Sequence, residues 1–304
     1  MDYLHRGQAN LPASLWQTID EAAVKAAREK LTGRRFLDLE GPFGPGLTSI
    51  EIGNDDYCRE PKEGEAGAVM GRAISVPMLR KSFRLSIRRV AGYLENGQPL
   101  DLSPAEDAAE AVADREEDFI YRGQPDRQLA GLLTQEGRSH VEGGDWSGVE
   151  RALADVLAAV TRLDEAGYRG PYALVLAPAL YNGLFRLYPG TDIMQLEHLR
   201  RLCTRGIYKA PIEGGVVVDP RLGALILGQD LRAGYTSQDG VHYHLFLSES
   251  IVLRIDEPSA ICTISARIRL DQGRGRARGE VVSGRREESE ELVTSGGKEN
   301  GRRS

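Results

Sequence analysis

The stretch Asp101–Thr134, DLSPAEDAAEAVADREEDFIYRGQPDRQLAGLLT, holds the clearest long helix of the chain and then returns to apolar residues. Ser103 can cap this helix, Pro104 suits its first turn, and Glu106 completes a capping box. The sequence therefore predicts a helix over 103–122 that stops at Gly123. At about 1.5 Å per residue, such a helix is about 30 Å long and can span a domain.

The predicted helix has an apolar face and an acidic face. The apolar positions are Ala105, Ala108, Ala109, Val112, Phe119 and Ile120, and the acidic positions are Asp107, Glu110, Asp114, Glu117 and Asp118. Glu116 and Glu117 follow Arg115, and their spacing indicates a solvated or salt-bridged face rather than an acid/base pair. We expect the other elements to pack against the apolar face.

Composition is typical of a globular protein. With 304 residues, 41% of them hydrophobic, the chain can form one large domain or two intimate ones. It has no apolar run long enough to span a membrane and no apolar signal core near its start, so we expect a cytoplasmic protein. Cys58, Cys203 and Cys262 are odd in number and scattered, which indicates free thiols. The net charge of −6 gives no bulk attraction to nucleic acid or anionic membranes.

A first helix is predicted near the start of the chain, where Ser14 and Gln17 form a capping-box pattern and Gly33 marks the end. Its apolar stripe consists mostly of small residues: Leu15, Ile19, Ala22, Ala23, Ala26 and Ala27. Such a shallow face either packs on the protein's own sheet or leaves a groove for a partner segment. We favour internal packing, but the stripe alone does not distinguish the two.

Residues 33–46, GRRFLDLEGPFGPG, predict a strand that leads into a turn. The glycines follow no βαβ pattern and lack the lysine of a Walker loop, so nucleotide binding is disfavoured. Residues 51–75 are acidic and glycine-rich, which predicts an extended loop or ribbon. The strand over 80–89 alternates apolar and basic residues. Ribbon and strand are either two solvated faces or surfaces that meet charges on a neighbouring copy.

The second half of the chain alternates helices and strands. After a capping box at Ser147 and Glu150, a helix is predicted to run to Gly167. GPYALVLAP then predicts a buried strand. Further helices are predicted over 180–187 and around Leu196–Leu202, and strands near 216–218, 224–227 and within 241–270. From residue 271 to 304 the chain is rich in glycine and charge without aromatic residues, which predicts a disordered tail.

Motifs that carry enzyme chemistry are missing. The sequence contains no GxSxG, HExxH, Walker lysine or cysteine–histidine cluster, and no ExxH pair typical of di-iron bundles. His242 and His244 lie two positions apart on a predicted strand without a third ligand nearby, which favours a surface or interface role over a metal site. A non-enzymatic protein with no metal and no cofactor is therefore expected.

Several local strings and the order of elements resemble the encapsulins of family 1, the linocin-like shell proteins related to the major capsid protein of tailed phages. The matching strings are LWQTID, GRRFLDLEGPFG, the DLS-opened helix to EEDFIYRG with GLLT, GPYALVL and LGQDLRAGY. The resemblance covers residues 1–270 and implies a self-assembling icosahedral shell protein. It implies a mixed α+β fold, the Hong Kong 97-type capsid fold.

The resemblance also implies a domain division. The expected segments are an N-terminal helix and the start of the peripheral domain over 1–50, an extended arm over 51–90, the peripheral domain with its spine helix over 91–170, an axial domain over 171–223, a return to the peripheral domain over 224–270 and a tail over 271–304. A prophage major capsid protein is the first alternative, because it shares this fold. A stand-alone hydrolase is the second.

In this family a luminal groove binds a C-terminal peptide of a cargo enzyme, commonly a ferritin-like iron oxidase or a haem peroxidase. The resemblance implies iron storage or oxidative-stress defence in a cytoplasmic nanocompartment. The matching positions for cargo binding are Ile19, Ala23, Ala26, Ala27, Leu31, Arg34, Asp38, Asp230 and Leu231. Neither Trp16 nor Trp146 lies in the arm, where some relatives stack a flavin, so no flavin is expected.

Axial domains of this family meet around the five-fold axis. The loop with Tyr188, Pro189, Gly190 and Asp192 is therefore the candidate lining of a small pore, with Asp192 as its charged element. The alternative is an ordinary loop between two helices.

Overall fold

The computed structural model describes residues 3–268. One part of the fold consists of two helices packed on a four-stranded sheet. The helices are α1, Ala13–Lys30, and α3, Ser103–Tyr121. The strands, in spatial order, are β1 Asp38–Glu40, β11 Gly223–Gln238, β12 His242–Ile255 and β4 Met78–Ser86. β1 runs parallel to β11, and the other pairs are antiparallel. Both helices pack on the same sheet and on each other.

The contact between α1 and α3 joins two stripes of small residues. Ala23 and Ala27 of α1 are buried, as are the alanines at 105, 108, 109 and 113 of α3. Side chains this small let two helix axes approach closely. Asp20 adds a polar tie, because its Oδ1 accepts the Ala233 N–H of β11 at 2.9 Å and pairs with Arg6 at 2.7 Å. The expectation that the stripe packs internally is confirmed.

A second part of the fold contains a five-stranded sheet. Its strands, in spatial order, are β7 Ser139–Val141, β13 Ile261–Ile264, β10 Gly215–Val218, β8 Ala173–Leu176 and β9 Gly206–Lys209. The helices of this part are α4 Val149–Glu165, α5 Pro178–Gly183 and α6 Gln195–Leu202. Every residue of β8 and β10 is buried, as continuous apolar runs in central strands require. The strand predicted from GPYALVLAP is thus confirmed.

The acidic stretch forms a separate hairpin, here called the ribbon. It consists of β2, Ser49–Tyr57, and β3, Val69–Ser75, which pair only with each other. Most of its residues are exposed, including Tyr57, Val69 and Met70. A two-stranded hairpin is at best marginally stable alone in water. The ribbon prediction is confirmed, and its exposed apolar residues call for a partner surface.

Helix termini differ from the predicted capping boxes. Leu102 occupies the N-cap position of α3, and Asp101 Oδ1 accepts the Ser103 N–H at 3.0 Å instead. The carboxylate precedes the helix and reaches the backbone donor first, so Ser103 becomes the first helical residue. At the other end Gly123 has φ 68°, the left-handed conformation that favours glycine after a helix.

The boxes predicted at Ser14 and Ser147 are wrong as well. Pro12 and Gly148 occupy the N-cap positions of α1 and α4, so Ser14 lies inside its helix and Ser147 lies one position before the cap.

The basic strand is shorter than predicted. β4 ends at Ser86, and Ile87–Asn96 forms helix α2. Its apolar positions at 87, 90 and 94 have helical spacing, which the alternation of the preceding strand concealed. A small pair, β5 Gly123–Gln124 and β6 Leu129–Ala130, follows α3. The expected disordered tail lies outside the described residues.

The predicted division into peripheral and axial domains remains a proposal. β11 and β12 return to the sheet that contains β4, as expected of the segment after residue 224. β13 instead pairs with β10 and β7 in the five-stranded sheet. The described part of this segment, 224–268, is therefore shared between the two sheets.

Candidate functional site

A groove of about 460 Å³ lies where the end of α1 meets β11 and β12. Its apolar lining consists of Val24, Ala27, Leu31, Leu39, Ala113, Leu227 and Leu231, and its polar lining of Arg28, Arg34, Arg35, Asp230 and Glu249. A wider depression of about 810 Å³ continues along the exposed side of α1 and shares Val24, Arg28 and Leu231 with it. An apolar groove with a charged rim is suited to an extended peptide rather than to a polar metabolite.

The residues predicted to bind cargo fall into three groups. Ala27, Leu31, Arg34, Asp230 and Leu231 line the groove. Ile19 and Ala23 are fully buried in the helix contact, and Ala26 is half-buried against the core. Asp38 lies outside the groove lining and pairs with Arg205 at 2.6 Å.

The part of the stripe formed by Ile19 and Ala23 therefore does not form an open groove floor, which the family resemblance had implied, whereas Ala27 lines the groove. Ile19 and Ala23 support the groove from below because α3 covers them. The more accessible apolar lining comes instead from the half-buried Val24 and from Leu39, which is 47% exposed on β1. The sequence analysis selected neither residue.

Arg34 is held at the groove wall by three carboxyl groups. Its Nε and Nη2 donate to Glu116 Oε1 and Oε2 at 2.7 and 2.6 Å, a bidentate pair. Nη2 also donates to Glu249 Oε2 at 2.8 Å, and Nη1 to Asp230 Oδ1 at 3.0 Å. Burial alone would lower the pKa of Arg34, but the hydrogen bonds and charges of these carboxyl groups outweigh it and raise that pKa.

Glu116 and Glu249 are almost completely buried, so one guanidinium compensates two carboxyl groups in the interior. Burial raises the pKa of Glu249 well above its usual range, and the charge of Glu116 raises it further. Among the described residues, Glu249 Oε1 has no hydrogen-bond partner.

Glu117 connects α3 to the turn after α1. Its Oε1 accepts the N–H groups of Thr32 and Gly33, both at 2.8 Å. Burial raises the pKa of Glu117 to about 7, against the lowering effect of these two hydrogen bonds. Gly33 packs closely on α3, because an added Cβ would lie 2.5 Å from Ile120 Cδ1 and would force that side chain to shift. This contact fixes the position from which the Arg34 side chain extends.

The acidic pair differs from the predicted face. Glu116 is salt-bridged, in agreement with one of the two readings, but neither Glu116 nor Glu117 is solvated. Both follow Val112 and Ala113 by four residues, a spacing that places them on the buried side of α3. This spacing could have indicated that both side chains are buried.

The candidate pore loop is an exposed connection between α5 and α6. Tyr188 donates its N–H to Ile193 O at 2.8 Å, and Gly190 adopts φ 74° at the tip. The Tyr188 ring lies 5.0 Å from the ring of His198. Exposed apolar side chains surround the loop: Phe185, Leu187, Ile193 and Met194. Pro189 and Asp192 are exposed, and a pore role for the loop stays a prediction.

His242 and His244 are both organised by Asp239. Asp239 Oδ2 lies 2.9 Å from His244 Nε2, and Oδ1 accepts the His242 N–H at 2.8 Å. These bonds, led by the one from the His242 backbone, lower the pKa of Asp239. Within residues 3–268, no three histidine, cysteine, aspartate or glutamate side chains converge as metal ligands. No helix in that range is long and apolar enough to cross a membrane.

Comparison with protein families gives a match over residues 1–252. The matching family is Linocin_M18, described as "Encapsulating protein for peroxidase".

Curated relatives include the type 1 encapsulin shell protein EncA of Myxococcus xanthus, 31% identical over 276 residues, which cover 86% of this chain and 96% of the relative. The type 1 encapsulin shell protein of Rhodococcus erythropolis is 30% identical and covered completely, against 87% of this chain. A diheme-cytochrome–encapsulin shell fusion protein of Kuenenia stuttgartiensis is 29% identical, with 84% of this chain and 74% of the fusion covered.

Solved structures share the fold. The virus-like particle from Pyrococcus furiosus superposes with a TM-score of 0.65 at 22% identity, covering 82% of this chain and 99% of that chain. The capsid of Myoviridae phage XM1 gives a TM-score of 0.54 at 14% identity, with 77% and 90% covered. The predicted Hong Kong 97-type capsid fold is therefore confirmed.

Proposed function

The chain belongs to the encapsulin family of shell proteins, which enclose nanocompartments, and we propose that it forms a closed icosahedral shell that packages a cargo enzyme. The groove at the end of α1 binds a short C-terminal peptide of that enzyme. The observation that carries this proposal is the groove itself, in which an apolar lining with the exposed Leu39 lies next to a rigidly held Arg34.

Assembly follows from surfaces that a single chain leaves uncovered. The ribbon carries exposed apolar residues and the carboxylates of Glu51, Asp55 and Asp56. Lys81 and Arg84 of β4 are exposed and form no ion pair within the described part of the chain. Opposite charges on separate surfaces steer one copy towards another, and exposed apolar patches mark interfaces. We assign the ribbon to contacts with neighbouring subunits beside β4.

Cargo binding uses the groove in two ways. Apolar anchors of the peptide lie against Leu31, Leu39 and Leu231, where their burial provides the affinity. Arg34 and Asp230 present opposite charges at the wall and set the direction of the peptide. Because Arg34 is already immobilised by Glu116, little side-chain entropy is lost on binding.

The cargo we propose is a ferritin-like iron oxidase or a haem peroxidase. The loaded shell would then function in iron storage or oxidative-stress defence in the cytoplasm. The description of the matching family, an encapsulating protein for peroxidase, supports this class. The Kuenenia relative, a fusion with a diheme cytochrome, shows redox chemistry joined to such a shell in that protein. The loop at 188–194 would then admit ions and small substrates.

Co-expression tests the proposal. The chain is produced with a fluorescent reporter that carries the C-terminal segment of the enzyme encoded next to the shell gene, or with the same reporter lacking it. We expect closed particles that contain the reporter only when the segment is present. Equal reporter content with and without the segment would refute recognition of a peptide, whereas failure to form particles would refute the shell role itself.

A further inference from the structure

The edge of the five-stranded sheet carries a serine, a histidine and a threonine in mutual hydrogen-bond contact. β7 runs parallel to β13, with His140 opposite Thr263. His140 Nδ1 lies 2.9 Å from Thr263 Oγ1, and His140 Nε2 lies 3.0 Å from Ser265 Oγ. His140 and Ser265 are 125 positions apart in sequence, so no linear motif could have indicated the pair.

The direction of these hydrogen bonds follows from the third one. Thr263 Oγ1 can donate its proton to the Ser139 carbonyl, which lies 3.3 Å away, and on that basis we assign His140 Nδ1–H as the donor to Thr263. Nε2 of the neutral imidazole then has its lone pair directed at Ser265, whose hydroxyl donates to it. A serine bonded to a base that a third group orients is the arrangement of an activated nucleophile.

The three side chains lie in a cleft of about 660 Å³, which is large enough for a small organic molecule. Arg138 lines the same cleft; its Nη1 donates to Gln135 O at 2.7 Å, while its buried Nε has no partner among the described residues. The Arg138 guanidinium gives the cleft a positive charge that favours a developing oxyanion over the neutral ester. His140 and Ser265 are exposed, so solvent-borne molecules reach them.

Charges around the cleft favour an uncharged substrate. Glu142, Asp145 and Glu213 line it together with Arg138 and Arg267, so acidic side chains outnumber basic ones and an anionic substrate is disfavoured. Glu142 Oε1 lies 3.7 Å from His140 Nε2, close enough to oppose an anionic group at the base. A short neutral ester meets neither repulsion nor an unpaired charge.

We propose that Ser265 is a nucleophile for acyl transfer from small uncharged carboxylic esters, with His140 as its general base and Thr263 as the positioning residue. Ser265 Oγ bonds to the acyl carbon while its proton passes to His140 Nε2. The bond from the acyl carbon to the alcohol oxygen then breaks, and that oxygen takes the proton from His140. Water attacks the acyl carbon next, gives a proton to His140, and releases a carboxylic acid as Ser265 Oγ regains the proton.

Assembled shells of the full chain test the site with a fluorophosphonate, an electrophile that labels activated serines. Mass spectrometry follows labelling at Ser265 and at Ser14, an exposed serine whose Oγ is not bonded to a histidine in the described structure. We expect Ser265 to react at least about tenfold faster than Ser14, since a positioned base contributes about 10²-fold or more. Equal rates at the two serines overturn the proposal.

Three variants separate catalysis from structure, each checked for intact particles first. His140→Gln removes the base and should abolish the excess labelling. Thr263→Val removes the hydroxyl that fixes the tautomer of His140 and should lower the labelling rate of Ser265. Thr263→Ser keeps a hydroxyl and should retain that rate. Hydrolysis of p-nitrophenyl acetate should follow the same order and should disappear in Ser265→Ala. Unchanged labelling in His140→Gln refutes the assignment, and if that variant does not assemble, the ratio of Ser265 to Ser14 in the wild type decides.

Discussion

Arg34 Nη2 lies 2.6 Å from Glu116 Oε2 and donates a second hydrogen bond to β12, so a single guanidinium joins α3 to the sheet at the wall of the groove. This relationship makes the groove a rigid feature of the fold. It also makes the two buried carboxyl groups dependent on one cation, because removing a partner from a buried ion pair leaves an uncompensated charge.

Arg34→Met should therefore destabilise the subunit by about 3–5 kcal/mol, the usual cost of breaking a buried pair from one side. Thermal unfolding of the purified protein measures the loss. Arg127→Met is the matched control: the Arg127 side chain is 78% exposed, and its pair with Asp126 is worth at most about 1 kcal/mol. Equal melting temperatures for the two variants would show that the Arg34 cluster contributes nothing to stability.

Glu117 predicts a pH dependence of stability. Burial raises its folded-state pKa from 4.5 to about 7, so the folded chain binds this proton more tightly than the unfolded chain. The stabilisation that protonated Glu117 gives the folded chain is fully present below pH 4.5 and is lost as pH rises through about 7. The loss amounts to roughly 3 kcal/mol in the free energy of unfolding. Glu117→Gln keeps an acceptor for Thr32 and Gly33 but cannot ionise.

The melting temperature of Glu117→Gln minus that of wild type should therefore be more positive at pH 8 than at pH 5. The same difference at both pH values would mean that Glu117 keeps an ordinary pKa in the folded chain.

Deleting residues 54–67 should stop closed-shell formation, because the ribbon contributes little to the core and finds its partner surface on a neighbouring copy. The deleted subunit should keep its secondary structure by circular dichroism. Size-exclusion chromatography and electron microscopy report assembly. Intact closed shells from this deletion would contradict the role given to the ribbon.

The loop between α5 and α6 should surround an opening at a symmetry axis of the shell. Asp192→Lys should then reverse the local charge and slow cation entry into particles, whereas Asp126→Lys, at an exposed position on another element, should not. Stopped-flow uptake of a divalent cation into shells that contain a chelating dye measures entry. A reconstruction that places the loop far from every symmetry axis would contradict the predicted pore.

Local patterns in the sequence predicted most of the elements. The 3.6-residue spacing of alanines gave α3 to within one residue, and the run ALVL gave β8. The capping boxes failed because Asp101 precedes Ser103 and binds its N–H. Helix α2 was missed because Ile87 continues both the alternation of β4 and the period of a helix.

The site was harder to predict because it joins distant segments. Asp230 reaches Arg34 only because β11 lies parallel to β1, a pairing across almost 200 positions. The small-residue stripe suited either an open groove or a helix contact, and only the position of α3 distinguishes them. The family resemblance selected Ala27, Leu31, Arg34, Asp230 and Leu231 of the groove lining, while the rest of the lining required the tertiary fold.

The central claim, that the groove at the end of α1 binds the cargo peptide, is tested most directly by cargo content. Leu39→Arg places a charge where an apolar anchor must desolvate, and because Leu39 is 47% exposed the fold should accept it. Leu157→Arg, at a position 49% exposed on α4, is the matched control. Cargo per shell, measured on purified particles, should fall at least about tenfold in Leu39→Arg, corresponding to about 1.4 kcal/mol or more, and stay at the wild-type value in Leu157→Arg. Intact Leu39→Arg shells with wild-type cargo content would contradict the account.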